Sequence, residues 1–175
     1  QGEQSIAIGT LAGESGQRAG SIALGMKAGQ TNQAAGSIAI GISAGSDNQD
    51  NSAIAIGEIA GNVSQGSQSI AIGYKAGQVD QGQAAIGIGL YAGNYDQSVN
   101  AIAIGEYAGG QGQNIESVAI GTRAAKADQG TQAIAIGAET GMTGQKEQAV
   151  AIGYRAGAYT QGVNCIAIGD RAGES

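Results

Sequence analysis

The sequence predicts an all-β protein, a parallel β-solenoid with one sixteen-residue repeat per coil and eleven repeats, and three observations predict it. The glycine closing each Ile-Ala-Ile-Gly unit recurs every sixteen residues, from Gly9 and Gly25 to Gly153 and Gly169, with no insertion or deletion. A glutamine keeps the same interval, from Gln1 and Gln17 to Gln145 and Gln161. The 175 residues include 33 Gly and six Tyr but no Phe, Trp, His or Pro. Without large aromatics a core has to be filled by Ile, Val, Leu and Ala, which suits thin layers better than a round interior.

Each unit reads Gln-x-x-x-(Ser/Ala)-Ile-Ala-Ile-Gly-x-x-Ala-Gly-x-x-x. Ile6-Ala7-Ile8 alternates large, small, large, the period of a strand with two side chains on one face, and β-branched residues favour that state. Gly9 then suits a tight corner. Thr10-Leu11-Ala12-Gly13 closes on Ala-Gly and is expected to supply a shorter opposing strand. Glu14-Ser15-Gly16 varies between units as a turn does, with Asn32, Asp80, Asp96 and Asp128 in the same column. A helix is excluded: three to four glycines in sixteen residues would each cost roughly 1 kcal/mol relative to Ala, and the apolar positions do not follow a 3.6-residue period.

Stacking one coil on the next places every Ile6-type residue in a ladder with its equivalents. At about 4.8 Å per coil, eleven coils make a rod on the order of 50 Å long. The array runs as a single continuous unit over residues 1–175, and a lone unit cannot fold without its neighbours. No capping sequence stands at either end, so the array reads as an interior length of a longer fibre that ends in mid-turn at Ser175.

The two Ile of each strand are expected to point inward and Ala7 outward. The Ala7 column is Ala in every unit except at Gly87, whereas the Thr10 and Leu11 columns drift, through Met26-Lys27, Glu58-Ile59 and Thr122-Arg123. An outward column held to Ala or Gly implies close approach by another chain, hence a homo-oligomer with this small-residue strip at its interface. The Gln column is expected to form a stacked amide ladder between coils.

At Ser5-Ile6-Ala7-Ile8-Gly9 and Ser37-Ile38-Ala39-Ile40-Gly41 the repeat resembles the Ser-Val-Ala-Ile-Gly repeat of YadA-like trimeric autotransporter adhesin heads. Similar Ala-Ile-Gly repeats occur in fibre proteins of large DNA viruses and phages. The resemblance covers the whole chain. It implies a left-handed β-roll, three chains packed about an axis, and display in a fibre on a bacterial cell surface or a virion; further coils, caps from other segments or end-to-end stacking would satisfy the uncapped termini. A host surface protein or glycan is the outside partner that such a fibre would meet.

No catalytic, cofactor-binding or metal-ligating residue is expected, and the chain is read as a structural protein, not an enzyme. With no His, neither Ser-His nor Cys-His chemistry is available, and with Cys165 as the single cysteine no zinc set forms. Eight basic against 14 acidic residues give a net charge of −6, which argues against nucleic acid and against an anionic membrane surface. Gly87-x-Gly89 arises from one Ala-to-Gly change within a repeat and is no nucleotide motif. Asp47-Asn48-Gln49-Asp50-Asn51 offers oxygen ligands at one turn without the alternate-residue spacing of Ca²⁺ loops. Asn62-Val63-Ser64 fits a glycosylation acceptor. Tyr74, Tyr91, Tyr107 and Tyr154 fall in the variable outward pair and Tyr95 and Tyr159 in the turn, as scattered surface residues.

Two rival functions are open to a flat repetitive solenoid. Ice binding would want a regular outward Thr-x-Thr ladder, yet Thr10, Thr31, Thr122, Thr131, Thr140, Thr143 and Thr160 fall in several columns. A glycan-depolymerising fibre would want paired carboxylates in a groove, and Glu58, Glu106 and Glu139 have no evident partner at fixed spacing.

Overall fold

The computed structural model describes residues 1–174; Ser175, where the sequence reading ends the array, lies outside the described residues. The described chain is all-β, with no helix. One long parallel sheet of eleven strands runs from Ile6–Ile8 to Ile166–Ile168. Its register advances by sixteen residues at every step, pairing Ile6 with Ile22, Ala7 with Ala23 and Ile102 with Val118. The coils therefore stack as a β-solenoid.

The second wall lies elsewhere than expected. Thr10–Gly13 is a turn, and the opposing sheet is built from Asp47–Gln49, Val63–Gln65, Val79–Gln81, Tyr95–Gln97, Gln111–Gln113 and Ala127–Gln129. Single bridges continue its column from Ser15 through Thr31 to Asp47, and from Ala127 through Thr143 to Tyr159. Backbone geometry explains the difference. Leu11 and Gly13 have φ of 59° and 54°, a left-handed conformation that a strand does not use. In the stretch read as a turn only the last residue is left-handed, Asn48 at 57° and Asp80 at 53°; it is the middle of the observed strand, and pairing passes through the residues on either side of it. The Asn, Asp and Gly of that column were a true signal of positive φ, set inside a strand rather than a loop.

The faces are also reversed. The Ala7 column points into the coil: Ala23, Ala39, Ala71, Ala103 and Ala135 are fully buried. The Ala12 column meets it from the opposite side, with Ala28, Ala60 and Ala108 equally buried. The isoleucines point out, and Ile104 remains 37% exposed in the middle of the rod. The reason is room. At Gly87 a Cβ would already stand 3.0 Å from the Ala92 carbonyl oxygen, so in this column the interior takes a methyl group and nothing larger. The small residue of each large-small-large triplet goes inside because only it fits. The small-residue strip is thus the core of the coil, and the expected interface through it is ruled out.

Every wall is hydrogen-bonded from coil to coil. Ile86 N donates to Ala101 O at 2.9 Å, Gly89 N to Ile72 O at 2.8 Å and Gly77 N to Ala92 O at 2.9 Å. At the corner after each long-sheet strand, Gly41 (φ 131°) brings the chains so close that a Cβ would sit 2.5 Å from Gly57 O. At the corner before it, Ser37 Oγ donates to Ala34 O and Ser69 Oγ to Gly66 O, pinning the preceding turn.

Candidate self-association surface

The glutamine column lies inside. Gln33, Gln97, Gln113, Gln129 and Gln145 have no exposed surface. Gln97 Nε2 shares its two N–H groups among Ile86 O at 2.8 Å, Ala101 O at 3.2 Å and Gln113 Oε1 at 3.1 Å, while its own Oε1 accepts from Gln81. The chain of amides is unbroken from Gln33 to Gln161. The stacked ladder predicted from the sequence is therefore present, and it also crosses the coil to hold the long-sheet strand. From Gln49 on, the buried amide is tolerated because its groups are paired, whereas the buried Oε1 atoms of Gln17 and Gln33, at the start of the column, have no partner. This leaves the column no face toward a ligand.

With Ala, Gly, Ser and Gln filling the interior, the large apolar side chains have only the outside. On the outer face of the long sheet, the Ile6 and Ile8 columns form two parallel stripes along the whole rod. Residues of the first, such as Ile70 and Ile86, are half-buried by their neighbours, and residues of the second, such as Ile56, Ile104 and Ile136, are exposed. Met26, Ile42 and Leu90, exposed beyond the corner glycine, carry apolar chemistry past the second stripe in their coils. The stripes are roughly 50 Å long and two side chains wide, a contiguous apolar patch of the size that soluble proteins reserve for contact with another surface.

Elsewhere the structure separates residues that the sequence set side by side. Asp47, Asn48 and Gln49 form a strand, Gln49 turns inward, and Asp50 Oδ1 accepts the Asn51 backbone N–H at 2.7 Å. The segment does not converge on one point. Among the described residues, no three His, Cys, Asp or Glu side chains are placed to hold a metal ion. Asn62 Nδ2, the atom that a glycan would need, donates to Ser43 O at 2.9 Å. Glu139 lies 3.5 Å from Arg123 and 3.6 Å from Arg155, as part of an ion ladder continued by Arg155–Glu174 at 2.9 Å. The guanidinium of Arg155 is pushed up from its ordinary value by its hydrogen bond with Tyr159 and by the nearby Glu174 charge. Cys165, exposed, is a free thiol.

Three of the six tyrosines read as scattered, Tyr74, Tyr91 and Tyr107, are in fact gathered. Tyr91 and Tyr107 stack with centroids 4.9 Å apart, and Tyr74 meets Tyr91 edge-on at 5.5 Å. A sixteen-residue repeat would have revealed this, since Tyr91 and Tyr107 occupy one column in successive coils.

These features define a parallel β-solenoid of stacked sixteen-residue coils with an apolar outer face. Residues 145–172 match the YadA head domain repeat, in two copies. The coils over residues 145–172 are thus similar to YadA head repeats, in agreement with the sequence resemblance. No curated protein and no solved structure matches the chain. Among the described residues no helix is long and apolar enough to cross a membrane.

Proposed function

We propose that the chain is a structural and adhesive fibre segment that associates with copies of itself through the isoleucine stripes, three chains to a rod, on a bacterial or virion surface. The observation that carries this reading is the outward isoleucine face, continuous over all eleven strands of the long sheet. Burying it in a trimer would give the rod a second apolar core that each coil is too narrow to house. The three-fold number rests on the resemblance to YadA-like heads. Attachment follows from the same resemblance, with a rigid rod holding its lateral surfaces away from the particle or cell that bears it.

The test is mass in solution. Light scattering on the eluted protein at micromolar concentration should give three times the 17.1 kDa of one chain. Replacing Ile72 and Ile104 together by Ser should lower that mass to the monomer while the β-sheet circular dichroism signal is retained. A monomeric wild type would overturn the proposal.

A further inference from the structure

One hollow outside the isoleucine face has the makings of a ligand site. It measures about 330 Å³ and is lined by Tyr91, Asn94, Tyr95, Tyr107, Gly110 and Lys126 among others. That volume lies at the lower end of small-molecule sites, and the lining follows their usual pattern of aromatic walls with a few placed polar groups. One of the lining positions, Gly110, contributes no side chain. In other coils the column of Gly110 carries longer side chains such as Gln30, Gln78 and Met142 as well as the short Ser46 and Ala158, and two of its amides bond along the rod, Gln30 Nε2 to Glu14 Oε2 at 2.6 Å and Asn94 Nδ2 to Gln78 Oε1 at 3.1 Å. Gly110 is not needed for backbone reasons, since its φ is outside the left-handed region. Its effect is to leave a notch between the side chains of Asn94 and Lys126.

The chemistry around the notch is specific. Tyr91 and Tyr107 are stacked on one another, so they offer ring edges and hydroxyls to the hollow, whereas Tyr95 is 40% exposed and, among the described residues, pairs with neither of them. Its ring face is available to the C–H surface of a sugar. Asn94 spends its N–H groups on Lys75 O and Gln78 Oε1, which leaves its carbonyl oxygen to accept a hydroxyl. In a rod of net charge −6 with eight basic residues, Lys126 Nζ lies 6.0 Å from the Tyr107 ring centroid, and Lys75 Nζ lies 5.5 Å from that of Tyr74 and 5.6 Å from that of Tyr91. An ammonium held at the mouth of an otherwise neutral aromatic hollow selects a single negative charge on a compact ring. We infer that the Tyr91–Tyr95–Tyr107–Lys126 hollow binds a saccharide whose ring carries a carboxylate. This deepens the adhesive part of the reading above by naming the class of ligand, and it rests on that reading only for its biological purpose.

The probe is a tetramer of galacturonate, with its methyl ester as the uncharged counterpart, titrated calorimetrically into the assembled protein. The acid should bind in the micromolar to millimolar range and the ester at least tenfold more weakly. Gly110→Gln restores the side chain that the column carries elsewhere; its Cβ would meet Lys126 O at 3.3 Å, which a shift of a few tenths of an ångström relieves. That variant and Lys126→Gln should each lose at least tenfold in affinity at unchanged melting temperature and unchanged mass by light scattering. No saturable binding of the acid, equal binding of the ester, or full binding by Gly110→Gln would overturn the inference. Because the mass is measured on the same samples, failure here is distinguishable from failure of the oligomer.

Discussion

A Cβ on Gly109 would stand 2.6 Å from Gln113 Oε1 and 3.1 Å from the Ala103 methyl group. The glycine that closes the short corner is therefore the space into which the next glutamine of the ladder reaches. Glycine, glutamine and alanine columns form one interlocked layer, and a change in one has to be accommodated by the other two.

Gly109→Ala should destabilise the protein by at least about 1–2 kcal/mol, the cost of a left-handed conformation for an L-residue, with displacement of Gln113 added. Ala125 is the natural exception in this column, at φ 43°. Ala125→Gly should shift stability by less than about 1 kcal/mol in the stabilising direction, because relief of strain outweighs the added freedom of the unfolded chain. Urea denaturation midpoints measured in parallel check both signs.

Gln97→Glu preserves shape and puts an acid into the ladder. Burial without a cation disfavours the charged form, so the folded carboxyl should titrate above the ordinary value of about 4.3. A raised folded pKa means that the variant is least perturbed below about pH 4 and loses stability as pH rises through the folded pKa. Thermal melts at pH 4 and pH 7 should diverge for the variant and not for the parent. Parallel behaviour of the two proteins would argue against a dry ladder.

Ala103→Ile should prevent folding of its coil, because overpacking in a methyl-sized space has no rotamer to escape into. Ile104→Ser, one residue along on the outer face, should leave the β-sheet circular dichroism signal in place and act on association instead. If Ala103→Ile folded normally and Ile104→Ser did not, the faces would be the reverse of those described.

Glu139→Gln removes the carboxylate between Arg123 and Arg155. The pairs are partly exposed, so the loss should be below about 1 kcal/mol and should vanish at 1 M salt. Denaturation with and without added salt measures it.

The repeat length, the parallel stacking and the glutamine ladder were all legible because each is a statement about period, and period is conserved by the stacking itself. The direction of the isoleucines was not. Alternation shows that Ile6 and Ile8 share a face opposite Ala7, but only the distance to the opposite wall, seen at Gly87 and Ala92, decides which face is inside. A hydrophobicity rule puts Ile inward, and here steric fit overrides it. The second sheet was missed for a related reason: the left-handed residue at Asn48 or Asp80 carries a turn signature while its neighbours pair as strand. The Tyr91–Tyr107 stack was legible in principle from column position. The notch at Gly110 was visible only in the folded chain, since a glycine among 33 carries no mark of its own.

The bonds that join one coil to the next, in the backbone and in the amide ladder, all lie along the long axis of the rod. Pulling the two ends apart therefore loads the joints in series, each bearing the full force. Such a rod should yield one coil at a time, each release paying out sixteen residues of chain, about 50 Å when drawn straight. Under tension it would behave as a reel whose line lengthens in equal steps, with the unreleased coils keeping their shape.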